Sequence, residues 1–600
     1  MSLLSSADGV LRVTEHHRVV PYHELTPAGP IPTACDPDGC YPYVSFSHTS
    51  PRPALRHLRY ISLENEHLRA EVCPDLGGKV TALYVKTRGG EINCVSSPAA
   101  VRPVRILPRN AFMGGGIEVS FPISHTPSLL ERVCCDVALE CGRAYVTVGE
   151  RELRFGMQWS VEFSLAPGEP FLTQRARFAN DTERTCPWMS WSNAGVPAAR
   201  DSRFFFPAGR VLRHASTLGE IAWESQGPKT QADIKEMSGF FWRSPAPGGV
   251  FGVFTPSLGC GLYHGADPRA VPGVKLWSDG VGAHEPWVSQ YMTDGGAQLL
   301  EIQAGPLADQ SVKAELAPGC EVGHVEFWWP VAAPLDLSAL ALPAPALRAE
   351  PPLFEWARPE ALAPWRALAA AAAARAPAAL PRAPDATCHA WPPSGDGALG
   401  APLEWACAQA ADAAERSAWA LHLGAWRAGR GDVEGALRTL EGSTDDRAHA
   451  LRGRLLRRDR RDGAGAAASF RRIACAAFAA HPQVVVERDL ALACLGRAAL
   501  GERRAALDAV AALGDEALVE RRAALLAAEG QWAAARKLLL GTHWQLVHQR
   551  YARTRLWRRV SAALGEDAHA PLPPNFLGED SLFEFGAYRE FGEDEEGDEI

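Results

Sequence analysis

The chain has 600 residues, 47% of them hydrophobic and 22% charged, with a formal net charge of −9. That length exceeds what one hydrophobic core organises, so several domains are expected, on the order of two to four. The modest negative charge gives no electrostatic footprint for nucleic acid. With no apolar run of about eighteen residues and no basic leader before an apolar core, a cytoplasmic protein that is neither secreted nor membrane-bound is expected.

Residues 1–50 read as an N-terminal extension and 51–330 as β structure. Leu68, Ala70 and Val72 alternate with polar residues and lead into Pro74-Asp75-Leu76-Gly77-Gly78, a strand followed by a turn. Three glycines then open Gly114-Gly115-Gly116-Ile117-Glu118-Val119-Ser120-Phe121-Pro122. They allow positive φ and close backbone approach, and they place Glu118 between two apolar residues. Such a carboxylate is either a desolvated acid or a surface side chain facing water. His125 follows seven residues later, near enough for a strand-to-loop path to bring it to the same rim.

Leu153, Phe155, Met157, Trp159, Val161 and Phe163 alternate with other residues over a twelve-residue stretch, which predicts one strand. Ala166-Pro167-Gly168-Glu169-Pro170 supplies a turn, and residues 171–178 return as the next strand. A second carboxylate with apolar flanks appears in Leu299-Leu300-Glu301-Ile302-Gln303-Ala304-Gly305. Short strands and frequent turns indicate a large antiparallel sandwich or barrel.

After Trp328-Trp329-Pro330, residues 331–400 form an Ala- and Pro-rich linker with helices. Residues 401–565 are Ala-, Leu- and Arg-rich at helical spacing. Breaks are predicted at Gly429-Arg430-Gly431-Asp432, Arg461-Asp462-Gly463, Gly501-Glu502 and Glu529-Gly530-Gln531-Trp532. Their recurrence every 30 to 40 residues suits stacked helical pairs, an array able to bind a protein partner or self-associate. In residues 566–600, Phe576, Phe583 and Phe585 are expected to dock on the body, while the acidic end from Glu593 has almost nothing to bury.

The fourteen cysteines include no C-x-x-C pair, which points to buried free thiols. No H-E-x-x-H or dinucleotide-loop context is present, so neither a catalytic metal nor a cofactor is expected. Nine of the eighteen Trp residues lie in the β half, where indole faces suit the C–H faces of sugars.

Residues 65–83, with their Gly77-Gly78 turn, resemble the opening hairpin of galactose mutarotase-like β-supersandwiches. A closer resemblance is to bacterial proteins of the DUF5107 family, which join such a sandwich to tetratricopeptide repeats. It rests on Gly115-Gly116-Ile117-Glu118 with Phe121-Pro122 and His125, Trp191-Ser192-Asn193-Ala194-Gly195-Val196-Pro197, Lys275-Leu276-Trp277, Glu301-Ile302-Gln303-Ala304-Gly305 and Phe327-Trp328-Trp329-Pro330.

The resemblance implies a carbohydrate substrate or ligand in a groove across one sheet. Mutarotase-like epimerases use a late-strand Glu as base, a role that maps to Glu301, and a His directly after an Asn as acid. Here Ala194 follows Asn193, a departure that argues against the mutarotase reaction. Glu118 and Glu301 together suit glycoside hydrolysis, the acid member needing a pKa raised by burial. His125, Trp191, Asn193, Lys275, Trp277 and Arg109 are the expected substrate-binding residues. An aldose epimerase and a non-catalytic carbohydrate-binding protein with interaction repeats are the alternatives.

Overall fold

The computed structural model describes residues 2–577 except 7, 33–40, 44, 107–110, 216–217, 244–248, 282–287, 289–290, 295–296, 309–312, 339, 386–390 and 569. Among the described residues, the first half forms two large antiparallel sheets. The 13-stranded sheet runs Ser2–Ser5, Arg12–Tyr22, Ala54–Glu64, Leu68–Cys73, Lys79–Thr87, Gly116–Val119, Ser192–Ala198, Gln298–Gly305, Gly273–Ser278, Ser238–Trp242, Arg210–His214 and Leu218–Ala222, with Gly90–Asn93 paired to Lys79–Thr87. The 8-stranded sheet runs Cys134–Glu140, Arg143–Arg151, Gln158–Leu165, Leu172–Asn180, Cys320–Val331, Cys260–Ala266, Val250–Thr255 and Arg203–Phe205.

Alternation decides which side chains the sheets bury between them. Ile117, Ala194, Val196, Leu276, Leu300 and Ile302 of the larger sheet join Val146, Val161, Phe163, Leu262 and Trp328 of the smaller one in a single core. Each such aliphatic or aromatic side chain, fully buried, contributes about 1.5–3 kcal/mol. The residues between them, Glu118, Asn193, Lys275, Glu301 and Gln303, are therefore turned to the outer face of the larger sheet.

The predicted twelve-residue strand is shorter. Residues 153–157 form a turn, and the strand Gln158–Leu165 pairs back on Arg143–Arg151. The cause is local. The Glu152 carboxylate accepts the N–H groups of Arg154, Phe155 and Met157 at 2.7, 2.7 and 3.1 Å. Gly156 takes φ +87°, which reverses the chain.

Side-chain caps start several of the helices after residue 362. Asp432 accepts the N–H of Gly435 at the start of Val433–Glu441, and Asp462 that of Gly465 at the start of Gly463–Phe470. Gly530, at φ +75°, separates Glu516–Ala528 from Trp532–Leu540. The predicted break at Gly501-Glu502 is instead inside the helix Leu500–Ala509, and Gly496 at φ +61° makes the turn before it. Glu502 favours a first helical turn, where its charge meets the helix dipole, and it also pairs with Arg471 and Arg488. Cys475 and Cys494 are exposed rather than buried. No helix of the described residues is long and apolar enough to cross a membrane.

The two halves share apolar surface. Val104, Phe112, Met292 and Leu299 of the first half and Ala523, Leu539, Trp544, Val560 and Phe576 of the second form one buried cluster, with Trp277 packed against it. Phe576 is fully buried, its ring 5.2 Å from that of Trp557. At another point of contact, Ile31 and Gln483 exchange hydrogen bonds of 2.8 and 3.0 Å. Phe583, Phe585 and the acidic end lie outside the described residues.

Candidate active site

The register of the larger sheet builds one polar row from residues far apart in the chain. Glu118 is opposite Asn193, Asn193 opposite Gln303, Gln303 opposite Lys275, and Lys275 opposite Phe241. Lys79 neighbours the Val80↔Ile117 pair at the other end of this row. The adjacent row holds Gly116, Gly195, Glu301, Trp277 and Gly239. Strand alternation sends all these side chains to the same face.

Glu301 thus stands between Gly195 and Trp277. Residue 195 has no room for a side chain, because a Cβ there lies 2.6 Å from Gly115 Cα. The glycine run crosses the face at this point. Gly115 and Gly116 take φ of +79° and +62°, values that only glycine adopts without strain.

Glu118 is 2% exposed and fully engaged. Its Oε2 accepts from Nδ1 of His125 at 2.8 Å, and its Oε1 accepts the N–H of Thr126 at 3.0 Å. The Asn193 amide lies 3.4 Å from the same imidazole nitrogen, and Phe112 packs on the imidazole with ring centroids 4.5 Å apart. Burial alone pushes the Glu118 carboxyl up. The charge and hydrogen bond of His125, with the Lys79 ammonium and the Thr126 N–H, more than reverse this and hold it below its ordinary value.

Glu301 differs. It is 5% exposed and accepts a neutral hydrogen bond from Gln303 Nε2 at 2.8 Å. Burial dominates and raises its pKa, against the opposing fields of His125, Lys275 and Lys79 and together with the Glu118 charge. The raised carboxyl is therefore Glu301 and the lowered one Glu118. An apolar flank in sequence reports burial but not the cation that burial supplies.

Lys79 is also buried. Its Nζ donates to the Met113 carbonyl at 2.6 Å, and burial lowers its pKa while both glutamates act to raise it. Lys275 lies 4.7 Å from the Phe241 ring centroid.

The other expected site residues fall in different places. Trp277 is half-buried beside Glu301. Trp191 is fully buried with its indole against Gly273 and Gly305, so it forms a wall and offers no open stacking face. Arg109 lies outside the described residues. His264 faces the interior between the sheets, 3.1 Å from Glu326, whose other oxygen accepts from Ser192. Hydrogen bonds and charges from His264 and His324 outweigh burial and hold Glu326 at about 2.

Lys79, Phe112 and Gln303 carry no role in the sequence reading. Gln303 was detectable as the i+2 neighbour of Glu301 on one strand face. Among the described residues no group of three or more His, Cys, Asp or Glu is placed to hold a metal ion.

A family model for a domain of unknown function, DUF5107, matches residues 35–331, and a second model for a C-terminal domain matches residues 365–560. A solved TPR-domain containing protein from Parabacteroides distasonis ATCC 8503 is 45% identical with a TM-score of 0.89, the match covering 95% of this chain and 98% of that one. A galactose mutarotase-like protein from Clostridium acetobutylicum is 12% identical with a TM-score of 0.35, covering 46% of this chain and 95% of that chain. A putative aldose 1-epimerase from Escherichia coli K12 is 14% identical with a TM-score of 0.33, covering 45% and 97%. The chain joins an antiparallel β-sandwich to a helical C-terminal region.

Proposed function

This chain belongs to the DUF5107 family, and we propose that it is a carbohydrate-active enzyme that hydrolyses a glycosidic bond between Glu301 and Glu118. One observation carries the reading. Two buried carboxylates on one sheet face have their pKa values pushed in opposite directions. Such a split suits one carboxylate to the acid role and the other to the base role. Glu301, raised, holds the proton for the leaving oxygen. Glu118, kept ionised by His125, accepts a proton from the attacking water, directly or through the imidazole.

Glu118 and Glu301 are two strands and two residues apart, a Cα separation of about 12 Å from sheet geometry. Carboxyls about 6.5–9.5 Å apart leave room for a water and invert the anomeric centre, a separation that this backbone spacing can accommodate. The half-buried Trp277 beside Glu301 offers an indole to the sugar ring. The amides of Asn193 and Gln303 supply donors and acceptors for its hydroxyls.

A second reading follows from His125, the neighbouring group that acts most strongly on Glu301. A sugar ring held between imidazole and carboxylate suits aldose epimerisation.

The test is hydrolysis of aryl glycosides and oligosaccharides by wild type and Glu301→Gln. Loss of about 10²–10⁴-fold on poor leaving groups, with activated aryl glycosides spared, supports Glu301 as acid. Anomer interconversion of a free sugar without cleavage selects the epimerase. Binding without turnover selects a non-catalytic carbohydrate-binding protein.

A further inference from the structure

A cleft of about 300 Å³ opens on the same outer face as the two glutamates, on the far side of the glycine run. Arg18, Tyr60, Lys79, Thr81, Tyr84 and Ser97 line it, and the backbone of residues 114–116 forms its near wall. The glycine wall is thin by necessity. A Cβ at Gly116 lies 2.4 Å from the Val80 carbonyl and 2.9 Å from Lys79 Cε, and one at Gly115 lies 2.3 Å from the Ser96 carbonyl.

Lys79 belongs to both places. It lines the cleft, while its ammonium donates to the Met113 carbonyl in the field of Glu118 and Glu301. The strand Lys79–Thr87 is the immediate neighbour of Gly116–Val119, so the cleft begins one strand spacing, about 4.8 Å, from the strand of Glu118.

The lining suits binding rather than chemistry. Among the described residues no carboxylate and no histidine lines the cleft. Its polar groups are held before any ligand arrives. The Thr81 hydroxyl donates to the Glu71 carbonyl at 3.2 Å, Ser97 donates to the Thr81 carbonyl, and Arg18 pairs with the Glu71 carboxylate. Apolar walls from Val20, Leu76 and Met113 complete it. Fixed hydroxyl and guanidinium groups among apolar surface match a ligand with hydroxyls on its edges and C–H groups on its faces. Preorganisation lowers the ordering cost of holding it. The volume is at the small end of ligand sites and takes about one pyranose ring.

We propose that this cleft is a second sugar subsite, so that the substrate is an oligosaccharide with one unit beside Glu118 and Glu301 and the next beyond the glycine wall. The assignment of a polymeric sugar rests on the hydrolase reading, but sugar binding in the cleft does not. Ala99 stands exposed at the rim with Ala100 half-buried beside it, and neither takes part in the carboxylate rows or in the polar lining. Ala99→Trp fills the cleft mouth, and Ala100→Trp repeats the block from a second position should the first variant lose its fold by circular dichroism.

Binding of gluco-, xylo- and galacto-oligosaccharides of one to four units is measured by calorimetry on the Glu301→Gln chain, with and without each block. Turnover of the same series and of aryl monoglycosides is measured on chains with Glu301 intact. The expected result is binding about tenfold or more tighter for two units than for one, abolished by the block, with aryl monoglycoside turnover within about twofold of wild type. Length-dependent, blockable binding without any turnover keeps the subsite and removes the hydrolase. Turnover with no gain from a second unit, or a block that slows monoglycosides equally, overturns the subsite. Absence of both binding and turnover removes both.

Discussion

Nδ1 of His125 lies 2.8 Å from Oε2 of Glu118, and this contact sets apart two carboxylates that otherwise share a sheet face and a buried setting. Among the described residues the donor to Glu301 is the neutral Gln303 amide, at 2.8 Å. One carboxylate is therefore held as an anion and the other is eased toward its acid form.

The rate should follow that division. Hydrolysis needs Glu118 ionised and Glu301 protonated. As pH falls, activity is lost only when Glu118 takes a proton, below the ordinary carboxylate value. As pH rises, it is lost when Glu301 gives its proton up, above that value. The kcat/KM profile is expected to be a bell with its two limbs on opposite sides of the ordinary carboxylate range. His125→Ala removes the bonded imidazole, so its acid limb should move to higher pH. An acid limb that stays in place separates Glu118 from the rate.

Gly195 and Gly239 form a matched pair of tests on the same face. A Cβ at residue 195 meets backbone, Gly115 Cα at 2.6 Å and its nitrogen at 2.8 Å. At residue 239 it meets side-chain atoms only, Phe241 Cε2 at 3.2 Å and Lys275 Cε at 3.6 Å. Gly195→Ala should cost about 1–3 kcal/mol and displace the glycine run from Glu301, lowering kcat as well as melting temperature. Gly239→Ala should melt within a degree or two of wild type. Equal melting of the two variants contradicts the close crossing at residue 195.

Much of this site was open to sequence reading, because alternation alone makes Glu118 and Glu301 turn away from their apolar neighbours. The row was not. Its strands lie in the order Lys79–Thr87, Gly116–Val119, Ser192–Ala198, Gln298–Gly305, Gly273–Ser278, and no local pattern reports which distant strands pair or in what register. Lys79 was missed for that reason, whereas Gln303, two residues from Glu301 on one strand face, was detectable. Trp191 was misread because its partners, Gly273 and Gly305, are more than eighty residues away. In the helical half, Asp432 and Asp462 announced helix starts as capping residues do. Gly501-Glu502 imitated a break, although its glutamate suits a first helical turn.

His422 gives the helical half an acid-sensitive point. It is buried among Trp365, Trp391 and Trp419, with Nε2 2.9 Å from the Pro384 carbonyl, and burial lowers its pKa to about 4. The unfolded chain takes up this proton near pH 6.5, the folded chain only near 4. Stability is then complete above pH 6.5 and falls as pH drops through that window, by about 3 kcal/mol from this group. His422→Phe should flatten the slope between those values while losing one hydrogen bond, about 1 kcal/mol. Denaturant unfolding at pH 7.5, 6 and 4.5 measures both effects. An unchanged slope in the variant assigns the acid sensitivity to other groups.

The helical half should prove necessary for the chemistry, through Phe112. This ring packs on His125 at 4.5 Å and belongs to the apolar cluster that Leu539, Trp544, Val560 and Phe576 complete. A chain ending at residue 340 strips that cover from Val104, Phe112, Met292 and Leu299, each worth about 1.5–3 kcal/mol when fully buried. It should aggregate or express poorly. A chain ending at residue 570 lacks Phe576, leaves Trp557 uncovered, and should melt earlier than the full chain. Deleting residues 593–600 should change neither melting nor turnover. Phe112→Ala in the full chain isolates the link, since it leaves the helices in place and frees the imidazole. It should lower kcat more than it lowers melting temperature. A soluble, monomeric and fully active 1–340 fragment refutes the coupling and makes the helical half an independent module.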